Sequence, residues 1–202
     1  MRPGPDYYYK CPQCSAILKN RSLMSGNTFG ATRYSDGRCI APMLPDIPKL
    51  TKCGKCDKIL WLSDLEKLGE CRLGAMPKPE WQGANKVNHL ELHDLWRALE
   101  EAPDMPKQRE LFVRQRIWWA YNAGRFETAL ETDRWRQNCL DLINLLDTNE
   151  NNERCMAAEL HRNLGNFSQC LELIRDLPEK FNSFKERMTA ECEKANMLTF
   201  RV

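Results

Sequence analysis

The sequence predicts an α+β protein, with a small antiparallel β module followed by a larger all-α domain. Two Cys-x-x-Cys pairs lie among short strand-like runs in residues 1–69. From residue 88 onward, apolar residues recur at helical spacing, and a pattern of glycine and aromatic residues occurs twice. We therefore expect a β module at residues 1–69, closed by a short helix, then a linker at 70–87 and a helical domain at 88–202.

The composition fits a folded protein of one large or two small domains. The chain has 202 residues, of which 42% are hydrophobic, enough to form a core. No apolar run is long enough to cross a membrane, and the first residues lack the apolar stretch of a signal peptide. Four of the ten cysteines have metal-binding spacing, and the others are scattered through apolar or helical stretches. We therefore expect a cytoplasmic protein with no membrane contact.

The β module is predicted from β-branched and aromatic runs bounded by turn residues. Asp36-Gly37 lies between two such runs, which is typical of a β-hairpin. Ser63-Asp64-Leu65-Glu66 has the spacing of a capping box, so a short helix is expected from there to Gly69. The predicted strands cover residues 7–10, 16–18, 28–34, 38–41, 49–51 and 59–62.

The two cysteine pairs predict a metal site. Cys11 with Cys14 and Cys53 with Cys56 are the four ligands expected for one tetrahedral Zn²⁺ ion. Four thiolates fill the coordination sphere and leave no position for water, so the zinc is expected to be structural and not catalytic. Iron in the same cage and a free redox dithiol are the alternatives.

The same residues resemble the zinc-ribbon family. The resemblance covers residues 6–62 and implies that each cysteine pair lies on a tight turn, the zinc knuckle, whose backbone N–H groups point at the sulfurs. Ribbons usually carry glycine after the second cysteine of a knuckle, whereas Ser15 and Asp57 stand there in this chain. Asp tolerates the left-handed backbone that this position needs better than Ser does.

The second part of the chain is predicted to be helical throughout. Gly124 and Gly165 end the second and fourth helices, and prolines separate or end others. Ser183-Phe184-Lys185-Glu186 is a second capping box, which opens the last helix. The predicted helices cover residues 89–101, 107–123, 126–146, 150–164, 167–176 and 183–197.

An internal repeat suggests stacked helical hairpins. Residues 124–131 match residues 165–172 at an offset of 41, with glycine, an aromatic, a small residue, leucine and glutamate in order. These positions resemble the tetratricopeptide repeat family, although the period is 41 residues and not about 34. The alternative is a helical bundle with one recurring hairpin. Overall, the chain is similar to bacterial proteins that join a zinc ribbon to helical repeats. The matching residues are Gly124, Phe126 and Ala129 in one unit, and Ala158, Gly165, Phe167 and Cys170 in the other.

The repeat resemblance implies a concave face that holds a peptide or protein partner. On such faces Asn and Arg bond the partner's backbone or a carboxylate, and aromatic residues pack against its side chains. The alternative is that Trp118 and Trp119 belong to the core between helices or form the surface on which the ribbon module packs. The residues implied to line the face are Arg114, Trp118, Tyr121, Asn122, Glu159, Arg162 and Asn163.

A nucleic acid is the alternative partner, because the first part of the chain is basic. Residues 1–60 hold ten Lys or Arg and four Asp or Glu, although two of these charges are offset when four thiolates bind one Zn²⁺. Phe29 or Tyr34 would stack on a base. Nine of these ten basic residues are interleaved with Tyr and Phe and are the expected phosphate contacts: Lys10, Lys19, Arg21, Arg33, Arg38, Lys49, Lys52, Lys55 and Lys58.

No pattern in the sequence predicts catalysis. His89 and His93 are four residues apart, but the glutamate between them is not at the position that a zinc protease motif requires. There is no phosphate-binding loop and no recognisable pairing of a nucleophile with a base. The function expected from the sequence is therefore a non-enzymatic interaction protein, with a structural zinc ribbon and a helical domain that docks a partner.

Overall fold

The structure, a computed structural model, describes residues 1–124 and 129–202. These residues form two compact units. The first, here called the cysteine unit, contains residues 1–31 and 40–98. The second, here called the helical unit, contains residues 32–39 and 99–202. Residues 32–39 thus belong with the helices, and the stretch 70–87, expected as a linker, lies within the cysteine unit.

The strands form one four-stranded sheet and two short hairpins. The four-stranded sheet has the order β7-β1-β2-β8, in which β1 is antiparallel to both neighbours and β8 is parallel to β2. β5 pairs with β6, and β3 pairs with β4. The strands are β1 (Arg2–Lys10), β2 (Ile17–Ser25), β3 (Thr32–Arg33), β4 (Cys39–Ile40), β5 (Leu50–Lys52), β6 (Ile59–Trp61), β7 (Glu66–Cys71) and β8 (Asn85–Lys86).

An aromatic stack covers the centre of the four-stranded sheet. Tyr8 is buried, and its ring stacks on Trp81 with 4.4 Å between the ring centroids. Gly69 lies opposite Tyr8 on β7, where a Cβ atom would come within 2.8 Å of the Trp81 ring. Its φ of +152° also favours glycine. The missing side chain at residue 69 thus gives the indole room to lie against Tyr8.

The helix expected at residues 63–69 is absent, and a strand takes most of its place. A 3₁₀ turn covers Leu62–Asp64, and β7 follows it at Glu66–Cys71. Glu66 lies opposite Lys10 in the antiparallel pairing with β1. The capping-box prediction was wrong because pairing along the edge of β1 provides hydrogen bonds to the whole segment, which a single local turn cannot match.

Six helices lie in the part of the chain that the structure describes; residues 92–98 of the first helix belong to the cysteine unit, and the other five helices account for most of the helical unit. Among these residues, no helix is both long and apolar enough to cross a membrane. The start of the helix expected at 126–146 lies outside the described residues, as does Phe126 of the first repeat unit. The helices are α1 (Leu92–Glu101), α2 (Lys107–Ala123), α3 (Ala129–Leu145), α4 (Asn151–Asn163), α5 (Phe167–Arg175) and α6 (Asn182–Glu193).

The second copy of the repeat forms a helical hairpin. Gly165 has a φ of +80° and directly follows the end of α4. Phe167 begins α5, and the small residues Ala158 and Cys170 are fully buried where α4 and α5 pack. Met188 and Cys192 of α6 complete this core. Gly165 therefore follows the fourth helix where a helix end was predicted, and Ala158, Phe167 and Cys170 lie in the core formed by α4, α5 and α6.

Candidate functional site

The four predicted cysteines lie together. The Sγ atoms of Cys11, Cys14, Cys53 and Cys56 are all within 4.8 Å of one another. The Sγ atoms of Cys11 and Cys56 are 3.7 Å apart, and those of Cys14 and Cys53 are 3.6 Å apart. Thiolates at the corners of a tetrahedron around zinc, with Zn–S bonds of about 2.3 Å, are separated by about 3.8 Å. The cluster therefore has the dimensions of a single four-thiolate metal site.

Two backbone turns of matching geometry position the sulfurs. In the first turn, the N–H of Cys11 donates to Ala16 and the N–H of Ser15 donates to Cys11, at 2.9 and 3.0 Å. In the second turn, Cys53 donates to Lys58 and Asp57 donates to Cys53, both at 2.9 Å. Ser15 and Asp57 have φ values of 56° and 55°, so both take the left-handed conformation for which ribbons usually use glycine.

The surroundings of the sulfurs shift the pKa values of Cys11 and Cys56 in opposite directions. Around Cys11, burial raises the pKa, but backbone N–H groups of Cys14 and Gln13 and the thiols of Cys14 and Cys56 outweigh it and lower the pKa to about 7. For Cys56, the N–H of Lys58 favours the thiolate, but desolvation and three neighbouring thiols raise the pKa to about 12. A metal ion that binds all four sulfurs as thiolates must therefore displace protons, so binding depends on pH.

His89 and His93, the other candidate metal ligands from the sequence, do not lie together in a site. Among the residues that the structure describes, the four cysteines are the one group of three or more Cys, His, Asp or Glu close enough to hold a metal. His89 precedes α1 and contacts the carbonyl of Asp46 at 3.1 Å, whereas His93 lies on α1 next to Asp94 at 3.2 Å. The two histidines therefore do not share a helix face.

The residues predicted to line a concave face are mostly buried and bonded to other parts of the chain. Arg162 and Glu159 are fully buried and form an ion pair at 2.6 Å. Asn163 accepts a hydrogen bond at 2.9 Å from Nε1 of Trp118, which is also fully buried. Arg114 is paired with Glu110 and Asp141, Asn122 donates to Asp36 at 3.0 Å, and Tyr121 is 7% exposed.

The turn at residues 35–37 supplies partners to this network. The hydroxyl of Ser35 donates to Glu159 at 2.7 Å, and the carbonyl of Asp36 accepts from Nε1 of Trp119 at 2.9 Å. Burial raises the pKa of Glu159, while the Arg162 guanidinium and the Ser35 hydroxyl oppose that rise. The sequence analysis interpreted Asp36-Gly37 only as a hairpin turn, because no local pattern indicates a contact 124 residues away.

The segment 196–202 supplies the remaining partners. Arg162 donates to the carbonyls of Asn196 and Leu198, the latter at 3.0 Å, and Asn163 donates to the carbonyl of Met197 at 2.9 Å. Farther along, Phe200 exchanges hydrogen bonds with Ser35, its N–H donating to the hydroxyl at 3.1 Å. Residues 196–197 were predicted to belong to the last helix, at 183–197, but this helix ends at Glu193. No contact with Arg162 was predicted, because no alternating or capping pattern in the segment indicates one.

The basic residues of the first part of the chain are divided between the two units. Arg33, Tyr34 and Arg38 belong to the helical unit. In the cysteine unit, Lys19 pairs with Asp6 at 2.8 Å and Lys52 pairs with Asp94 at 2.9 Å. Overall, the cysteine unit holds thirteen Lys or Arg and nine Asp or Glu. The positive charge is therefore smaller and more neutralised than the sequence of residues 1–60 suggests.

Comparisons with known proteins add no family assignment. No protein-family model matches the chain, and neither the curated proteins nor the solved structures give a significant match.

Proposed function

We propose that this chain is a non-enzymatic interaction protein, in which one structural Zn²⁺ ion stabilises the cysteine unit as a zinc-ribbon-like module and the helical unit, built of repeat-like hairpins, docks an extended segment of a partner protein. The zinc part rests on the four-thiol cluster, whose spacing fits tetrahedral coordination and whose sulfurs fill every coordination position. The docking part rests on one observation: Arg162 and Asn163 donate to three successive main-chain carbonyls of the segment that follows α6.

Metal analysis tests the zinc proposal. Protein purified without chelators is expected to contain about one zinc ion per chain, and loading with Co²⁺ is expected to give the absorption bands of tetrahedral thiolate coordination. An iron centre would give a coloured protein with charge-transfer absorption instead. Protein without bound metal that keeps its β structure would contradict the proposal, because a β module this small is expected to need the ion to fold.

Peptide selection tests the docking proposal. A displayed library of seven-residue segments is selected against the immobilised zinc-loaded chain, with an unrelated helical protein as the control for non-specific capture. Peptides that bind through an extended backbone are expected to be enriched. A selection in which no peptide exceeds the background of the control protein would contradict a docking role.

A nucleic acid on the cysteine unit is the second candidate. An exposed lysine lies at each knuckle, Lys10 before Cys11 and Lys55 between Cys53 and Cys56, and Phe29 is 86% exposed. Such residues would contact phosphates and stack on a base. The candidate predicts binding to single-stranded oligonucleotides that weakens steeply with salt and that Lys10→Gln with Lys55→Gln reduces. Affinity unchanged by salt or by these substitutions would exclude it.

A further inference from the structure

The 196–202 segment is held through its backbone. Besides the three carbonyls bound by Arg162 and Asn163, the carbonyl of Phe200 accepts from the N–H of Ser35 at 2.9 Å. The carbonyl of Arg201 accepts from Arg187 at 2.8 Å, and the N–H of Val202 donates to Arg33 at 3.0 Å. The segment bends at Leu198 and pairs with Tyr34 at Arg201, and its backbone is bonded to helix side chains and to a neighbouring hairpin, as the backbone of a bound peptide can be.

The side chains of the segment contribute much less. Leu198 is 73% exposed, and Met197 and Val202 are 41% and 44% exposed. Phe200 is the exception among the described apolar residues of the segment, since it packs against the core cluster of α4, α5 and α6. Its ring centroid lies 4.9 Å from the guanidinium carbon of Arg162 and 5.9 Å from that of Arg187. The contacts therefore involve mainly the backbone and one aromatic side chain, with the Asn196 amide bonded to Glu191 next to the end of α6.

We propose that α4 and the 32–39 hairpin form a peptide-binding site that the chain's own 196–202 segment occupies, and that a partner segment, bound through its backbone in the same way, enters it by displacing this occupant. The partner segment carries an aromatic residue in the place of Phe200 and is tolerant of sequence at the positions of Met197, Leu198 and Val202. This inference rests on the proposed docking function and adds to it the location of the site, the chemistry of the partner and the regulation by self-occupation.

The connection to α6 suits a segment that opens locally. α6 ends at Glu193, and Ala195 is exposed with a left-handed φ of 53°, a conformation that L residues rarely adopt. Because Phe200 is the one apolar side chain of the segment packed into the core, the segment is expected to open at less than the global unfolding free energy, with the carbonyls of the incoming partner replacing those that Arg162 and Asn163 lose. The short tether holds the segment at an effective concentration of about 1 mM near the site. A partner therefore has to bind more tightly than the segment, or through several sites at once, to displace it.

The test uses the full chain with a protease site inserted between Ala195 and Asn196. The chain is folded, loaded with zinc and cut, and the released segment is removed by dilution and dialysis. A fluorescent peptide with the sequence of residues 196–202 is then titrated into cut and uncut protein. If the peptide binds cut protein with a dissociation constant of about 10 μM, its binding to uncut protein is expected to be about a hundredfold weaker, because the tethered segment competes for the same site.

Matched peptides and variants examine the basis of recognition. Changing Phe200→Ala in the peptide is expected to weaken binding at least about tenfold, whereas Leu198→Ser is expected to change it less than about threefold. In the protein, Arg187→Gln removes an exposed donor to Arg201 and is expected to weaken binding about fivefold. Arg175→Gln on α5 is the control, since its exposed side chain pairs with the neighbouring Asp176, and is expected to leave binding unchanged.

Three outcomes would overturn the proposal. Cut protein that keeps its helical circular dichroism but does not bind the peptide shows that no reusable site exists. Cut protein that loses its helical signal shows that the segment is an integral part of the fold. If the insertion prevents folding, hydrogen exchange of the unaltered chain decides: the amides of Phe200 and Val202 are expected to exchange at least about a hundredfold faster than those of α4. Equal protection overturns the proposal. Failure here with a positive library selection would leave the docking function standing at another site.

Discussion

The cysteine unit and the helical unit hold their interiors together by different means. In the cysteine unit, four sulfurs from two turns converge within 4.8 Å, and the core around them is small. In the helical unit, a buried pair of charges, Glu159 and Arg162, is satisfied by residues from distant parts of the sequence. A metal ion can replace core volume in a small β module, whereas a larger helical core can bury a polar network that fixes one arrangement of its segments.

The largest expected effect is loss of the metal from the cysteine unit. Cys11→Ser removes a fully buried ligand, and the protein is expected to lose its bound zinc almost completely, because structural zinc contributes about 10–16 kcal/mol to the folding of small modules. Elemental analysis and circular dichroism measure the outcome. Cys39→Ser is the control, since Cys39 is exposed and outside the cluster. A Cys11→Ser protein with full zinc content would remove Cys11 from the ligand set.

The next effect tests the charged pair of the helical unit. Arg162→Met leaves Glu159 buried without its guanidinium and is expected to lower the free energy of unfolding by about 3–5 kcal/mol. Replacing both, with Glu159→Leu added, is expected to recover most of that loss, because no charge is then left unpaired. Urea unfolding at neutral pH measures both. Arg175→Met, exposed on α5, is the control and is expected to change stability by less than about 0.5 kcal/mol. Equal stability of the Arg162→Met and control proteins would show that the pair is not buried in solution.

The two units also differed in how far the sequence predicted them. The four-cysteine cluster was predictable, because it depends on two local turns with a fixed residue spacing: Cys11, Cys14, Cys53 and Cys56. The identity of its metal and its assignment to the zinc ribbons remain predictions. The six helices and the hairpin closed by Gly165 also follow from local patterns. The buried hydrogen-bond partners of Arg162 could not be predicted from local patterns, because they come from distant parts of the sequence.

Two contacts show why local patterns were insufficient. Ser35 bonds Glu159 across 124 residues of sequence, and the carbonyls of Asn196 and Leu198 accept from Arg162 although no pattern in their own sequence indicates this contact. The strand β7 was missed for a related reason, since the local capping signal at Ser63 is overridden by pairing with β1. Long-range pairing is decided by which surfaces meet, and that information is spread over the whole chain.

A smaller effect tests the packing of the four-stranded sheet. Gly69→Ala would place a methyl group 2.8 Å from the Trp81 ring at a φ of +152°, and we expect a loss of about 1–3 kcal/mol. Gly83→Ala is the matched control, because Gly83 also has a positive φ but has open space around it, so only the backbone cost of about 1 kcal/mol applies. Urea unfolding followed by tryptophan fluorescence compares them. Equal losses would indicate that Trp81 moves away without cost.

The smallest effect is a pH dependence in the helical unit. Burial lowers the pKa of His161, whose Nδ1 is buried without a hydrogen-bond partner. The unfolded chain therefore binds a proton more readily, so this contribution to stability is complete above the unfolded pKa of about 6.5 and is lost as the pH falls through the lowered folded value. His161→Gln is expected to flatten the decline in the urea midpoint below about pH 6.5. The exposed His93→Gln is the control, and identical pH profiles for all three proteins would contradict the burial of His161.

The most direct test of the contrast between the units is hydrogen exchange measured before and after zinc is removed with a chelator. Removal is expected to release about one zinc per chain and to raise exchange at least about a hundredfold in β1, β2 and β5 of the cysteine unit. The amides of α4 and α5 are expected to keep their protection, because their core contains no metal ligand. Unchanged protection in the strands, or an equal loss in strands and helices, would contradict a zinc-stabilised unit joined to helices with a core of their own.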